Sequence, residues 1–259
     1  MFRVTLCFLL LVLNLNAQHL NVWMRIGYQP FIMPKGINLI GYEIDLLDEL
    51  SKRLNFTYTV RDFFLNDIVE IANRDTVDMI VSSINITENL REFVDISQPY
   101  FKNATTVFIK RKDDDRIKNI NSLDGLRVGA LKNRYQLEII QNIPNIDIKE
   151  ITAKKGINSI IELKSGEVDV VVIDRTLADI YLKEDRLLSE YSKSVINTLE
   201  AFGLNSEIEV FYEDSFESEG YGIVFGKGKN SKLREAIDSE IIKMHQDGTI
   251  KKIMEKYNL

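Results

Sequence analysis

The spacing of apolar and polar residues predicts strands and helices that alternate along most of the chain. Within residues 41–54, Leu47, Leu50 and Leu54 share one face, with acidic residues early and basic residues late, which is typical of an amphipathic helix. Residues 55–60 then alternate between apolar and polar side chains, as a half-buried strand does. A continuous apolar run that ends at Asp174 predicts a strand buried on both faces.

The predicted elements fall into two blocks of similar organisation and a shorter tail. The first block has strands at 20–28, 55–60 and 77–81 and helices at 41–54 and 66–73; the second has strands at 103–110, 126–130, 146–151 and 166–174 and helices at 135–141 and 156–164; the tail has a strand at 221–225 and helices at 233–245 and 249–256. Strand–helix–strand order implies right-handed parallel crossovers and a doubly wound sheet. Because no flexible linker separates the blocks, we expect two α/β lobes with a cleft between them. The charge run at 111–116 predicts a solvated loop.

Composition narrows the function classes without identifying one. Of the 259 residues, 45% are hydrophobic and 28% are charged, which suits a globular protein with one or two domains. The formal net charge is −6 and the sequence has no basic patch, so no nucleic-acid partner is expected. The two histidines, His19 and His245, belong to no zinc-ligand pattern, and the common catalytic motifs are absent from the sequence. We therefore predict no catalytic residues, no metal site and no cofactor.

Residues 1–17 differ in character from the sequence that follows. Arg3 precedes an apolar run at 6–13, and the small residue Ala17 stands immediately before Gln18, which is the pattern of a cleaved secretory signal peptide. The alternative is a buried first strand or helix, which the abrupt change in composition disfavours. The only cysteine, Cys7, lies inside this segment, so we expect the mature chain to hold together without disulfides.

The most informative segment, residues 83–101, leads from a polar loop through a short charged helix into an extended stretch. It follows the β-branched residues 77–81 and reads Ser-Ile-Asn-Ile-Thr-Glu-Asn-Leu-Arg-Glu-Phe-Val-Asp-Ile-Ser-Gln-Pro-Tyr-Phe. Polar groups at the carboxyl end of a strand stand where open α/β sheets usually bind small ligands. The segment resembles the S-x-T-x-x-R … D-F-S-x-P-Y signature of the family 3 solute-binding proteins, which the ligand cores of ionotropic glutamate receptors share.

The tail also resembles this family, through Tyr-Gly-Ile-Val-Phe at 221–225 and Asp-Gly-Thr-Ile-Lys-Lys-Ile at 247–253, so the resemblance covers residues 18–259. It implies an α/β protein with the two-lobed type II periplasmic-binding-protein fold and two hinge crossovers. Lobe 1 would comprise 18–105 and 219–259, and lobe 2 would comprise 106–218. The implied function is capture of an amino acid or similar small polar solute between the lobes, without catalysis. The implied partner is the membrane permease of an ABC importer, and the protein would act as a monomer in the periplasm or otherwise outside the cytoplasm.

For lobe 1 the resemblance implies a ligand-binding loop with one departure from the family pattern. Ser83 opens the loop, Asn85 takes the place of a ligand-binding hydroxyl, and Leu90 takes the place of the arginine that binds the ligand's α-carboxylate. Arg91 follows one residue later, and one helical step turns a side chain by about 100°. Either the loop is shifted so that Arg91 points into the cleft, or Arg91 is solvated and the usual carboxylate clamp is missing. The polar loop beside Arg91 favours the first interpretation.

Four further residues are candidates for ligand contact. Asp174 fits the family's lobe-2 pattern V-D-x-v-v-x-D, whose second Asp receives the ligand's ammonium; the alternative is a cap for the following helix. Arg134 replaces part of a Gly-Ser/Thr-Thr turn and either forks a ligand carboxylate or is a surface charge. Tyr28 and Phe64 stand where the family stacks rings on its ligand, with core packing as the alternative.

Two other functions stay open at this level. Some members of the family act as periplasmic dehydratases on prephenate-like substrates, which would need an acid–base pair that the sequence does not name. A soluble domain related to glutamate receptors is the other, although those receptors carry membrane segments between the lobes and this sequence has none there. Glycosylation sequons at Asn55, Asn85 and Asn103 would be usable in a eukaryote.

We predict that export of this protein is accompanied by cleavage after Ala17, because that residue closes the apolar run with a small side chain. Intact-mass or amino-terminal analysis of the exported protein should find Gln18 first. Exported protein that still begins with Met1 would contradict the prediction.

Overall fold

Two five-stranded sheets with flanking helices carry the structure. The computed structural model describes residues 18–63, 68–102, 104–132, 134–151, 157–182, 197, 201, 206–216 and 218–259. The predicted signal peptide at 1–17 and the predicted ligand contact Phe64 lie outside the described residues. None of the helices in these ranges has the length and apolar content that crossing a membrane requires.

The elements follow one another in three groups along the chain. The first group is β1 (Gln18–Met24), β2 (Met33–Lys35), β3 (Asn38–Ile40), α1 (Tyr42–Leu54), β4 (Phe56–Asp62), α2 (Ile68–Ala72), β5 (Met79–Asn85), α3 (Glu88–Phe93) and β6 (Val94–Ile96). The second is β7 (Thr106–Arg111), β8 (Arg127–Leu131), α4 (Tyr135–Gln141), β9 (Asp147–Ile151), α5 (Ile157–Ser165), β10 (Val170–Asp174), α6 (Arg175–Leu182) and β11 (Ile208–Asp214). The last is β12 (Tyr221–Gly226), α7 (Ser231–Gln246) and α8 (Thr249–Lys256). The predicted strands and helices are all present; α4 and α8 have the predicted bounds, and the others have shifted ends.

The strand order shows where each group goes. The sheet of lobe 1 has the order β4-β1-β5-β12-β6, and the sheet of lobe 2 has the order β11-β7-β10-β8-β9. Strand β1 is parallel to both β4 and β5, and β8 is parallel to both β9 and β10, so the predicted parallel crossovers are confirmed. Strands β12 and β7 run antiparallel to their neighbours. The tail therefore returns to lobe 1 and completes its sheet.

The predicted end of the third strand at Val81 is wrong, because β5 continues to Asn85. The returning strand β12 supplies the partner, with Tyr221 opposite Asn85 and Gly222 opposite Ile84. The residues around Val81 could not predict this extension, because the partner strand comes more than a hundred residues later in the chain. The polar residues that were expected in a free loop are thus partly held in a sheet.

The chain passes between the two sheets twice, and the two crossovers touch each other. Phe101 and Tyr221 form an antiparallel bridge, with the amide of Tyr221 donating to the carbonyl of Phe101 over 2.8 Å. Their rings stack with centroids 5.3 Å apart. Gly220 has φ +121°, and a Cβ there would lie 2.3 Å from the Phe101 oxygen, so only glycine fits this close approach. The two crossovers therefore form one hydrogen-bonded and stacked connection between the lobes.

The charge run at 111–116 is only partly solvated, which corrects the prediction of a solvated loop. Asp114 is 8% exposed and accepts a hydrogen bond of 2.6 Å from Arg116. Arg116 also donates to the buried Asp169, which in turn accepts two hydrogen bonds from the Arg127 side chain. Burial opposes ionisation of Asp169, but the bonds from Arg127 and Arg116 outweigh it and hold its pKa well below the usual range. The run is therefore part of an ion network that links the segment after β7 to Arg127 at the start of β8 through Asp169.

We predict that Asp169→Asn lowers the free energy of unfolding by about 2 kcal/mol near neutral pH, because it weakens charge-assisted bonds from both arginines. A carboxylate whose folded pKa is depressed stabilises the fold above its unfolded pKa of about 3.9 and loses that effect as the pH falls towards the folded pKa. Urea unfolding at pH 7 and pH 3 should therefore show a smaller gap between the two proteins at pH 3.

Glu207→Gln is the matched control, since Glu207 pairs with Lys112 at an exposed position of the same lobe. This variant should have the same urea midpoint as the unaltered protein. A gap for Asp169→Asn that does not change with pH would show that its effect comes from packing alone.

Candidate ligand-binding site

Asp174 joins side chains from both lobes at the carboxyl end of β10. Its Oδ2 accepts a 2.7 Å hydrogen bond from the Tyr28 hydroxyl, and its Oδ1 accepts bonds from the Tyr221 hydroxyl at 3.0 Å and the Gln136 amide at 2.9 Å. Tyr28 and Tyr221 belong to lobe 1, whereas Gln136 lies on α4 of lobe 2. Asp174 is 5% exposed. The Asp174 carboxylate is thus buried and accepts hydrogen bonds from side chains of both lobes.

The tyrosines that reach Asp174 act as neutral donors. Burial raises the pKa of the Tyr28 phenol well above its ordinary value, and the negative charge of Asp174 adds to the effect. The pKa of Tyr221 is raised for the same two reasons. Both hydroxyls therefore keep their protons at physiological pH and continue to donate to the carboxylate.

Arg134 lies at the amino-terminal end of α4, beside Tyr28. Its guanidinium carbon is 4.8 Å from the centre of the Tyr28 ring, a cation–π distance, and the residue is only 9% exposed. Its Nε and one terminal nitrogen, Nη2, are buried without a hydrogen-bond partner among the described residues. Buried polar groups are paired in the great majority of cases, so these two donors are available for a group from outside the described part of the chain.

Glu43 forms a second buried carboxylate centre in lobe 1. Its Oε1 accepts bonds from the Ser83 amide at 2.6 Å, the Ser83 hydroxyl at 2.9 Å and the Tyr100 hydroxyl at 2.6 Å. Its Oε2 has no partner within the described part of the chain. Burial raises the pKa of Glu43, although the bonds from Tyr100 and Ser83 and the charge of Arg134 oppose the rise.

Ser83 is held in an unusual backbone conformation at this centre. Its φ is +48°, a left-handed value that a residue with a side chain adopts at a cost, and it directs both the amide and the hydroxyl of Ser83 to Glu43. Ser83, which the sequence predicts as a ligand contact, therefore binds an internal carboxylate whose pKa also responds to the charge of Arg134.

The structure places the other two lobe-1 candidates at the second crossover. The Asn85 side chain accepts a 2.8 Å bond from Ser218. Arg91 pairs with Glu219, with nitrogen–oxygen distances of 3.1 Å, and keeps a third of its side chain exposed. Tyr28, Arg134 and Asp174 are thus brought together, Ser83 is near them through Glu43, and Arg91 is directed elsewhere.

The sequence reasoning missed four residues of this centre: Glu43, Tyr100, Gln136 and Tyr221. Glu43 carried a usable signal, because it stands four and seven residues before Leu47 and Leu50 and so lies on the apolar face of α1. A carboxylate on an apolar face needs buried partners. The other three have no comparable local signal, since their partners come from distant parts of the chain.

The arrangement is suited to holding a small polar molecule. It offers two donors on Arg134 that have no partner within the described ranges, a carboxylate at Asp174 that is held by three hydrogen bonds, and the aromatic ring of Tyr28. Within the ranges that the structure describes, no three side chains of His, Cys, Asp or Glu come together in a way that would hold a metal ion.

Comparison with known proteins gives one consistent result. The family model described as bacterial extracellular solute-binding proteins, family 3, matches residues 20–259. A probable histidine-binding protein of Campylobacter jejuni is 23% identical over 249 residues, which are 94% of this chain and 88% of that protein. The histidine-binding periplasmic protein of Escherichia coli is 27% identical over 243 residues, with coverage of 90% and 86%. The structure of an ancestral arginine-binding protein bound to arginine superposes with a TM-score of 0.73 at 26% identity and covers 92% of this chain and 97% of that one.

We predict that Glu43→Ala lowers the free energy of unfolding by about 3 kcal/mol, because three buried donors lose their acceptor. Glu43→Gln keeps an oxygen at the same place and should lose less than about 1 kcal/mol. Since the folded pKa of Glu43 is raised, its carboxyl stabilises the fold fully below the unfolded pKa of about 4.3 and less as the pH rises.

The same experiment therefore has a pH signature. Urea unfolding between pH 4 and pH 8 should show the unaltered protein losing stability relative to Glu43→Gln as the pH rises. A difference that is constant over this range would contradict the raised pKa.

Proposed function

The chain belongs to the family 3 bacterial extracellular solute-binding proteins, and from this premise we propose that it captures an amino acid between its two lobes. The relatives named above are binding proteins for histidine and arginine. Their names support binding rather than catalysis as the role of this chain. An amino acid presents a carboxylate and an ammonium a few ångströms apart, and the site has a complement for each.

One observation carries the proposal: the guanidinium of Arg134 is buried, and two of its nitrogens have no hydrogen-bond partner among the residues that the structure describes. We infer that these nitrogens donate to the α-carboxylate of the ligand, since a guanidinium matches the two oxygens of a carboxylate in a bidentate fashion. The contact with the Tyr28 ring would hold the guanidinium in place before the ligand arrives. A preformed donor pair loses little conformational entropy on binding.

The ammonium of the ligand would bind beside Asp174. An ionised carboxylate offers about four acceptor positions, and the hydroxyls of Tyr28 and Tyr221 and the amide of Gln136 use three of them. A bond from an ammonium would be charge-assisted and short. Asp174 and Arg134 both belong to lobe 2, so lobe 2 would bind both the ammonium and the carboxylate of the amino acid.

This assignment replaces the carboxylate clamp that the family resemblance places in lobe 1. Leu90 stands at the clamp position and packs against the apolar cluster of lobe 1, and Arg91 pairs with Glu219. We propose that neither residue contacts the ligand. Lobe 1 would contribute the ring of Tyr28 to the ligand-binding site. Ser83 and Glu43 would lie beneath the ligand without contacting it, and Asn85 would stabilise the second crossover.

The remaining parts of the proposal follow the family. The lobes would be 18–105 with 219–259, and 106–218, and they would close around the ligand by hinge motion at the two crossovers. The protein would act as a monomer outside the cytoplasm after removal of its signal peptide, and it would deliver the ligand to the membrane permease of an ABC importer.

We predict that Arg134→Gln weakens binding of the best amino-acid ligand by about 3 kcal/mol, because a desolvated charge pair is broken. The ligand is found first by a thermal-shift screen of the twenty amino acids, where a concentration of a hundred times the dissociation constant should add about 2.7 kcal/mol of stability. Isothermal titration calorimetry then compares the variants.

Lys132→Gln is the matched control, because it removes a positive charge from an exposed, ion-paired position of the same lobe. It should leave the affinity unchanged. Without ligand, Arg134→Gln should change the free energy of unfolding by less than about 1 kcal/mol, since the lost cation–π contact with Tyr28 is offset by removal of two buried donors that have no partner among the described residues. Equal affinities of Arg134→Gln and the unaltered protein would refute the assignment of the carboxylate to Arg134.

A further inference from the structure

We propose that lobe 1 carries a separate binding site for an oxyanion, a phosphate or a carboxylate, beside β6 at the edge of its sheet. The inference stands apart from the proposed function, because none of its charged residues takes part in the head-group contacts described above. It starts from a cavity of about 230 Å³ that is formed by α3, β6, the turn after β12 and α7. The lining residues are Arg91, Val94, Asp95, Ile96, Lys227 and Arg234.

The charged lining of this cavity is mainly positive. Three of the six lining residues are cations, and one, Asp95, is a carboxylate. Asp95 is already engaged, because its Oδ2 accepts a 2.9 Å bond from the amide of Gly228 and its Oδ1 lies 3.5 Å from the Lys227 ammonium. The whole chain has a formal charge of −6, so three cations around one cavity are a local exception. Such a group attracts anions.

Arg234 supplies the donors that carry the inference. Among the described residues, its guanidinium donates from Nη1 to Oδ2 of Asp238 over 3.1 Å. Its Nε is buried and has no hydrogen-bond partner in the same part of the chain. Nε and Nη2 lie on one edge of the planar guanidinium, and such an edge matches two oxygens of a carboxylate or phosphate. The bond to Asp238 therefore leaves this edge available.

Arg91, on the same cavity, shows how such an edge is satisfied within the chain. Its Nε and Nη2 both donate to the Glu219 carboxylate, over 3.2 and 3.1 Å. At Arg234 the described residues place no carboxylate on the corresponding edge, and the residue lines a cavity. An oxyanion in this cavity would complete at Arg234 the arrangement that Glu219 completes at Arg91.

Lys227 adds a second cation that can share the anion. Its ammonium donates to the carbonyl of Arg91 over 2.7 Å, and 52% of its side chain is exposed. An ammonium has three donors, so this bond and the contact with Asp95 do not exhaust it. A water molecule takes up about 30 Å³ in the liquid, so the cavity has room for an oxyanion of four or five heavy atoms together with water.

Titration of the exported protein with inorganic phosphate and, separately, with acetate tests the inference. Sodium chloride keeps the ionic strength constant, so that general screening does not change. The backbone amide signals of Asp95, Lys227 and Gly228, followed by NMR, should shift and reach saturation. Tighter binding of phosphate would identify dissolved phosphate as the ligand, and tighter binding of acetate would identify a carboxylate, such as that of an acidic side chain on a partner protein.

Two variants of the cavity should weaken binding of the tighter probe. Arg234→Gln should weaken it by about tenfold or more, because charge-assisted bonds from the guanidinium are lost. Lys227→Gln alters a half-exposed side chain, so the fold should tolerate it, and it should weaken binding by about threefold. The matched control is Arg74→Gln, which breaks an exposed pair with Glu70 in the same lobe and should leave the affinity unchanged.

Arg134→Gln separates the cavity from the candidate ligand-binding site, whose guanidinium could also attract an anion. The shifts at Lys227 and Gly228 should persist in this variant with the same midpoint. Their loss would overturn the inference, because the anion would then bind between the lobes. Shifts that do not saturate, or that have the same midpoint in Arg234→Gln as in the unaltered protein, would also overturn it. These outcomes leave the proposed function untouched, since binding of amino acids decides that separately.

Discussion

Asp174 receives hydrogen bonds from tyrosines of one lobe and a glutamine of the other, and much of the structure is arranged around that buried carboxylate. A carboxylate removed from water is stable only when its oxygens are well hydrogen-bonded. The bond from Tyr28 holds its ring beside the end of β10, and the guanidinium carbon of Arg134 lies 4.8 Å from the centre of that ring. Tyr221 donates to Asp174 and also forms the bridge with Phe101 between the two crossovers. One residue therefore belongs both to the candidate site and to the connection between the lobes.

The parts of the fold that depend on local pattern could be predicted from the sequence. The helix at 41–54 and the buried strand that ends at Asp174 are governed by side-chain periodicity within a dozen residues, and both are present. The family resemblance over the rest of the chain placed Tyr28, Arg134 and Asp174 among the candidates, and the structure brings these three together. The two-lobed fold follows from the resemblance and agrees with the solved structures of similar proteins.

Features that depend on distant partners could not be predicted. Arg91 is held by an ion pair with Glu219, which lies 128 residues further along the chain. No local sequence pattern predicts that pair. The burial of Asp114 depends on Arg116 within the same charge run and, through it, on Asp169 in another element. Glu43 is the exception, because its place on the apolar face of α1 was visible in the spacing and only its partners were hidden.

The position of β12 has a consequence for the order of folding. This strand lies inside the sheet of lobe 1, between β5 and β6, yet it begins at Tyr221, after all of lobe 2. Lobe 2 is continuous in the chain between β7 and β11 and contains every strand of its own sheet. Without β12, β6 has no neighbour in the sheet and β5 presents an open edge. A chain that emerges from its amino terminus therefore cannot complete the sheet of its first lobe until all of its second lobe has been synthesised.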